Sequence, residues 1–313
     1  MPYSPDSTRA ALLLTNRLVP LDAAPMTARE FWQLVHHVDP AELLHVDAAA
    51  IAERTGADLD EARRLRTLLD AATALGFEQE RLYDGGVSLV SALDDRFPAG
   101  LRERLGAACP PFLLVAGPVE WLDHPGLGVV GSRGAHADAL DVARRAAEQA
   151  VQHGWPIVSG LGAGLEDGVD QAAMAGALDT GGVVIGVPAE GISRASRSAE
   201  VRRRVHAGEL CIASPYAPDA PFRPANAAGR HKIIHALSRV TFVVAAADGT
   251  GATWAGAKEA LERRYAPVGV WVGAGADDGN HALVLRGATP ITDPSKLFDI
   301  GPLAPEPSQD PLF

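Results

Sequence analysis

Cysteine is scarce in this 313-residue chain: Cys109 and Cys211 stand far apart, with no His or Cys at ligand spacing. Neither a disulfide framework nor a zinc site is supported, and both thiols are expected to be small core residues in a reducing cytoplasm. No metal ligands and no cofactor are expected. Aromatic residues make up only 5%, so backbone contacts rather than stacked rings should dominate any nucleic-acid contact. No stretch approaches the roughly 18 apolar residues of a membrane-spanning helix. The opening MPYSPDSTRA also lacks the basic-then-apolar order of a signal peptide, so a cytoplasmic protein without membrane contact is expected. An excess of basic charge is missing too: 28 Lys and Arg face 39 Asp and Glu, a net charge of −11. That excludes a wholesale basic nucleic-acid binder, and any phosphate contact must come from a local patch.

What remains is 47% hydrophobic and 21% charged, with mean hydropathy near zero, the profile of a globular protein long enough for two domains. Residues 1–82 read as a small helical module. The run from Asp47 to Leu75 puts Ile51, Leu59, Leu65, Leu68 and Leu69 at helical spacing around a break at Gly56. Positions 1–80 hold 7 basic and 13 acidic residues, so a packing or protein-contact role is expected there rather than a grip on DNA. Residues 83–126 form a lead-in of short apolar runs between Pro and Gly. From 127 to 300, near-continuous apolar strands (LGVVG, PIVSG, GGVVIGV, LCIAS, VTFVVAAA, PVGVWVG) alternate with amphipathic helices. This pattern predicts a Rossmann-like, doubly wound, mostly parallel sheet covered on both faces, preceded by the small helical N-terminal domain. Residues 301–313 are Pro-rich and aperiodic, and read as a disordered tail.

In such a sheet the ligand lies beyond the carboxyl ends of the strands, so the loops there are the candidate site. After the first long strand, Gly131-Ser132-Arg133 lets the backbone approach an anion and adds a bidentate cation. After the second, Ser159-Gly160-Leu161-Gly162 opens a Gly-rich turn followed by Glu166, Asp167 and Asp170. It fits neither the dinucleotide fingerprint nor the P-loop, which disfavours a conventional dehydrogenase or NTPase. A long Pro-rich loop after LCIAS leads through Asn226 into a helix bearing Arg230, His231 and Lys232. Residues 191–240 hold nine basic and three acidic residues, about +6 in a protein of −11, which suggests a phosphate-backbone site. Arg202 to Arg204 read instead as a solvated helix face. Gly249, Thr250, Gly251 and Thr253 can hold a phosphate at a helix start, or Thr253 can simply cap that helix.

Five segments, in order and at compatible spacing, resemble the DNA processing protein A family (DprA, also called Smf), within the Rossmann-like SLOG superfamily. They are ALDDRFPAGLRERLGAACPPFLLVAGPVEWL with LGVVGSR, SGLGAGLEDGVDQAAMAGAL, FRPANAAGRHKIIHALSRVTFVVAA, GTGATWAGAKEAL and GNHALVLRGA. The wording of GTGATWAGAKEAL is nearest a DprA-like branch. The resemblance implies a non-catalytic, homodimeric single-stranded DNA binder that protects DNA and helps load a RecA-type recombinase during uptake or recombination. The chain departs from the family pattern in three places. Arg230-His231-Lys232 stands where the family has Arg-Asn-Arg, Met174 replaces a His, and Leu165, Glu166 and Asp167 interrupt the Gly-rich turn. Added carboxylates there would repel a phosphate backbone.

The tail is similar to the bacterial sliding-clamp-binding motif through Gln309, Leu312 and Phe313, anchors that a free terminus can place in a preformed groove. Two other readings stay open. The same pocket could serve a nucleotide sensor or a LOG-like nucleotide N-glycosidase, with Glu166, Asp167 or Asp170 as the acid, although the PGG-x-GT signature is missing. Alternatively, the protein could be an adaptor acting through its helical module and tail.

Overall fold

The computed structural model describes residues 3–162 and 168–303. Five helices come first: α1 (Pro5–Thr15), α2 (Ala28–Val35), α3 (Ala48–Thr55), α4 (Leu59–Leu69) and α5 (Ala72–Asp84). The first four each begin where a Ser, Thr or Asp accepts from a free amide of the first turn: Ser4, Thr27, Asp47 and Asp58. At α2 the exchange is reciprocal, because Glu30 accepts from the Thr27 amide in return. That bond holds the Glu30 carboxyl below its usual range. Of the helical-spacing set, Ile51, Leu65, Leu68 and Leu69 are buried. Leu59 is 44% exposed, because it opens α4 and lies outside the packed stripe.

A nine-stranded sheet follows, with α6 (Ala99–Leu105) between its first two strands, β1 (Val87–Ser91) and β2 (Phe112–Ala116). The chain then runs β3 (Gly126–Gly131), α7 (Ala137–Gln152), β4 (Ile157–Leu161), α8 (Val169–Asp179), β5 (Val184–Pro188), α9 (Ile192–Ala195), α10 (Ala199–His206) and β6 (Leu210–Ser214). It ends with α11 (Pro224–Leu237), β7 (Ser238–Ala245), α12 (Gly251–Arg263), β8 (Val268–Trp271), α13 (Asp278–Val284) and β9 (Thr289–Ile291). The strand order is β1-β2-β6-β5-β4-β3-β7-β8-β9. From β6 across to β9 every pair is parallel, in registers such as Val158 with Ile185 and Val243 with Val270. The six apolar runs of the sequence are therefore one sheet, buried on both faces as their composition requires. The lead-in runs GVSLV and FLLVA extend that sheet antiparallel, β1 on β2 and β2 on β6.

Helices cover the sheet by apolar stripes. In α7, Ala139, Val142, Ala143, Ala146, Ala147 and Ala150 recur at three- and four-residue steps and are buried. Their small size lets α8 pack close alongside. In the core, Phe242 of β7 meets Trp271 of β8 edge to face, centroids 6.4 Å apart, worth about 1 kcal/mol beyond area burial. The N-terminal helices join the same core through Trp32, whose indole N–H donates to the Cys109 carbonyl at 2.8 Å. Both cysteines are buried, and burial pushes their thiols up to about 12. No helix among the described residues is long and apolar enough to cross a membrane.

Chain direction across the sheet reverses at β3. From there β4, β5 and β6 build outward on one side, and β7, β8 and β9 on the other. The carboxyl ends of β3 and its neighbours therefore border a crevice that no crossover helix fills, the topological switch point where ligands bind in open α/β sheets.

Candidate nucleic-acid interface

A cavity of about 1070 Å³ occupies that crevice, ample for a nucleotide-sized group. Eleven of the nominated residues line it: Gly131, Ser132, Arg133, Gly160, Gly162, Asp170, Arg230, His231, Thr250, Gly251 and Thr253. Ser159, Asn226, Lys232 and Gly249 do not. Glu166 and Asp167 lie outside the described residues, as do Gln309, Leu312 and Phe313.

The interior is built around one ion pair. Asp170, in the first turn of α8, accepts from the Gly131 amide at 3.1 Å and from the Arg230 guanidinium at 3.4 Å. Arg230 also donates to the Leu161 carbonyl at 3.2 Å, so one guanidinium ties α11 to α8 and to the end of β4. Both side chains are largely enclosed, 9% exposed for Arg230 and 17% for Asp170. Enclosure pushes the Asp170 carboxyl up to about 6, against the opposing pull of Arg230, the Gly131 amide, Arg133 and the Gly160 amide. Glycine at position 160 leaves room for this pair, since a Cβ there would displace the Asp170 carboxylate and the Arg230 guanidinium from their present positions. Arg230, nominated as a phosphate ligand, is already committed to a carboxylate and a carbonyl.

His231 is buried, its Cβ against α12 at Gly256, and its Nδ1 has no partner among the described residues. Burial, and then the charge of Arg230 and the neighbouring His235, hold its pKa well below the usual value. It is a neutral ring, not a cation. His235, one turn on and fully buried, is pushed down to about 3 by burial. The helix itself separates Arg230 from Lys232. Residues two apart lie about 200° round an α-helix, and Lys232 is half-buried on the side where its charge reaches Cys109. Ser159 is buried, and its hydroxyl donates to the Val129 carbonyl at 2.6 Å, joining β4 to β3. The Asn226 carbonyl accepts from the Tyr216 hydroxyl at 3.0 Å, which closes the Pro-rich loop upon itself. Arg203 and Arg204 pair with Glu200, and Arg204 also pairs with Glu209, as a solvated face requires.

The rim differs in character. Arg133 is exposed and lies over the Phe222 ring, 5.8 Å from its centroid, with Phe222 itself 48% exposed. The start of α12 lines the same cavity. Gly249 (φ 67°) and Gly251 (φ 84°) turn the chain through left-handed backbone. Thr250 is the N-cap residue but makes no side-chain cap bond, and Thr253 already lies inside the helix, so it is not the cap. The first amides of a 13-residue helix thus open at the rim. This turn is held by Asn280, whose amide oxygen accepts from the Ala246 N–H while its nitrogen donates to Val244 and Trp271 carbonyls, all at 2.8 Å.

Three contributors escape the sequence reading: Phe222, Glu190 and Asn280. Glu190 is within reach of the strand-end rule, since it lies two residues beyond the end of β5. Phe222 lies inside a loop read for its charges. Asn280 acts from another helix, where nothing local signals its three bonds. Among the described residues no group of three or more His, Cys, Asp or Glu is placed to hold a metal ion.

The model of one family, DNA recombination-mediator protein A, matches residues 88–300. DNA processing protein DprA of Streptococcus pneumoniae is 30% identical over 205 residues, covering 64% of this chain and 70% of that protein. The X-ray structure of DNA processing protein A from Streptococcus pneumoniae superposes with a TM-score of 0.65 at 21% identity, over 89% of this chain and 99% of that one. A structure of the Helicobacter pylori protein, reported for its single-stranded DNA binding mode, gives 0.55 at 21% identity, over 68% and 94%. The two structures share the fold. The matched span runs from β1 to the segment after β9 and so includes every described element that borders the cavity: the chain belongs to the DNA recombination-mediator protein A family.

Proposed function

We propose that the protein binds single-stranded DNA at this cavity and acts as a recombination mediator, protecting DNA and helping to load a RecA-type recombinase during DNA uptake or recombination in the cytoplasm. The observation that carries the reading is the rim: an exposed guanidinium on an exposed ring, and a helix N-terminus without a side-chain cap, lining one cavity large enough for a nucleotide. Arg133 and the α12 amides suit phosphates, and Phe222 suits a base face. The named binding mode of the Helicobacter pylori relative supports the choice of ligand.

In this reading residues 127–300 carry the ligand site, residues 83–126 lead into it, and the acidic residues 1–82 contact protein. Two copies would join two cavities on one strand and raise avidity. Gln309, Leu312 and Phe313 of the tail would engage a sliding clamp, which pull-down with and without residues 301–313 tests. The main test is fluorescence anisotropy at low salt with single-stranded DNA, duplex DNA and RNA. Single-stranded DNA should bind tightest and lose affinity steeply with salt. Absence of binding at low salt would sink the reading.

A second reading rests on Asp170, which lines the cavity and whose carboxyl enclosure pushes up to about 6, suited to general acid work on a nucleotide. Incubation with nucleoside monophosphates followed by chromatography should release free base in that case. An unchanged nucleotide would eliminate it.

A further inference from the structure

Glu190 lies two residues beyond the end of β5 and lines the cavity, yet it is only 7% exposed. Its backbone is anchored, with the Ser214 hydroxyl donating to its carbonyl at 3.4 Å. In its side chain, Oε1 is buried and has no hydrogen-bond partner among the described residues. A buried carboxylate oxygen without a donor is costly. Asp170 shows how this cavity treats a carboxylate it uses for support, with a backbone amide and a guanidinium directed at it. Among the described residues no donor is directed at Glu190 Oε1, which leaves that oxygen able to accept from a ligand.

The cavity is therefore polar in a directed sense. Its exposed edge offers the Arg133 guanidinium and free amides, which suit phosphate. Its enclosed part offers a carboxylate, which repels phosphate and takes N–H groups. That is the polarity of a nucleotide entering base first.

Building on the single-stranded DNA reading, we propose that Glu190 is a specificity-determining residue that accepts from the exocyclic amine of a base turned into the cavity. Adenine, cytosine and guanine then bind in preference to thymine. Thymine has a single ring N–H flanked by two carbonyl oxygens, both of which a carboxylate repels; carboxylate recognition of the cytosine amine is the corresponding contact in duplex readers.

The experiment compares 15-nucleotide dC and dT oligomers, equal in charge and similar in size, by anisotropy at one salt concentration, on the whole protein and on Glu190→Gln. The wild type should favour dC by about tenfold, the effect of one such contact. Glu190→Gln, whose amide both donates and accepts, should bring the two within about twofold. A wild type that binds both oligomers equally overturns the inference while leaving DNA binding intact, and needs no variant to do so. A preference that persists unchanged in a folded Glu190→Gln overturns it as well. The RNA arm separates the donor's source: rC bound tighter than dC, with no preference of dC over dT, would assign Glu190 to a sugar hydroxyl and overturn the base reading. Failure of every oligomer to bind would overturn the parent function and this inference together.

Discussion

Two arginines border the same cavity and do opposite things. Arg230 is nearly buried, bound to a carboxylate and a carbonyl, and ties three elements together. Arg133 is exposed, with an aromatic ring beneath it. Enclosure decides the difference. A charge withdrawn from water must be matched by the fold itself, so it becomes part of the fold, whereas a rim charge stays solvated until a ligand arrives. Electropositive residues near a ligand edge are therefore not equivalent, and their burial sorts struts from contacts.

The sharpest break of that comparison is to unpair the interior. Asp170→Ala should cost about 3 kcal/mol of stability, because it leaves a buried guanidinium without a counterion and the strand-end amides of Gly131 and Gly160 without their acceptor. Thermal or urea unfolding measures it, and Arg133→Ala is the control that should leave the midpoint unchanged. Equal stability in Asp170→Ala and wild type would mean that the pair is not a strut.

Acid sharpens the same contrast. His231 and His235 are held neutral in the fold, so an unfolded chain binds their protons preferentially as pH falls below about 6.5. Each then removes about 1.4 kcal/mol of stability per pH unit. Asp170 opposes them: raised to about 6, it takes its proton in the fold first, and between pH 6 and its unfolded value near 3.8 it adds stability as pH falls. Two losses against one gain leave a net fall of about 1.4 kcal/mol per pH unit below pH 6. Urea unfolding at pH 7, 6 and 5 reads this before the carboxylates held low by arginine partners titrate. His235→Phe should flatten the slope. A stability that rises between pH 6 and 5 would contradict the assignment of both histidines as neutral.

At the rim the measurement moves from stability to affinity. Arg133→Ala should weaken single-stranded DNA about tenfold and make the salt slope shallower by about one. Phe222→Ala should weaken it by a similar factor with the salt slope unchanged, because a base stacked on a ring releases no counterion. The pair thus separates charge from stacking at two neighbouring side chains.

The sheet was legible because its signal is local and redundant. Six apolar runs with helices between them can bury themselves in few other ways, and the strand-end rule points from sequence to Gly131, Gly160 and Thr250. The antiparallel addition of β1 and β2 was not readable, since short apolar runs do not specify which edge they join, and the three-residue β9 carries no alternating pattern at all. Within the site, the identity of the loops was legible but the role of each charge was not. Nothing in the spelling Arg230-His231-Lys232 reveals that the first residue is enclosed, the second neutral and the third turned away. Helical geometry carries part of that information, because positions two apart cannot share a face.

Lys232 tests how far that geometric argument reaches, and its expected effect is the smallest. The residue adjoins Arg230 in a basic segment, and charge counting alone would rank it beside Arg133. Its position on the far side of α11, close enough to Cys109 to bear on the thiol, keeps it out of the cavity. Only its long-range field then reaches a strand bound at the rim, and at physiological salt that field is screened within about 8 Å. Lys232→Ala should weaken single-stranded DNA by no more than about twofold, and should add little to Arg133→Ala in the double variant. If Lys232→Ala instead costs as much as Arg133→Ala, and lowers the salt slope as well, the strand must also run over the outer face of α11. The distinction between rim and interior would then describe only one part of a longer DNA path.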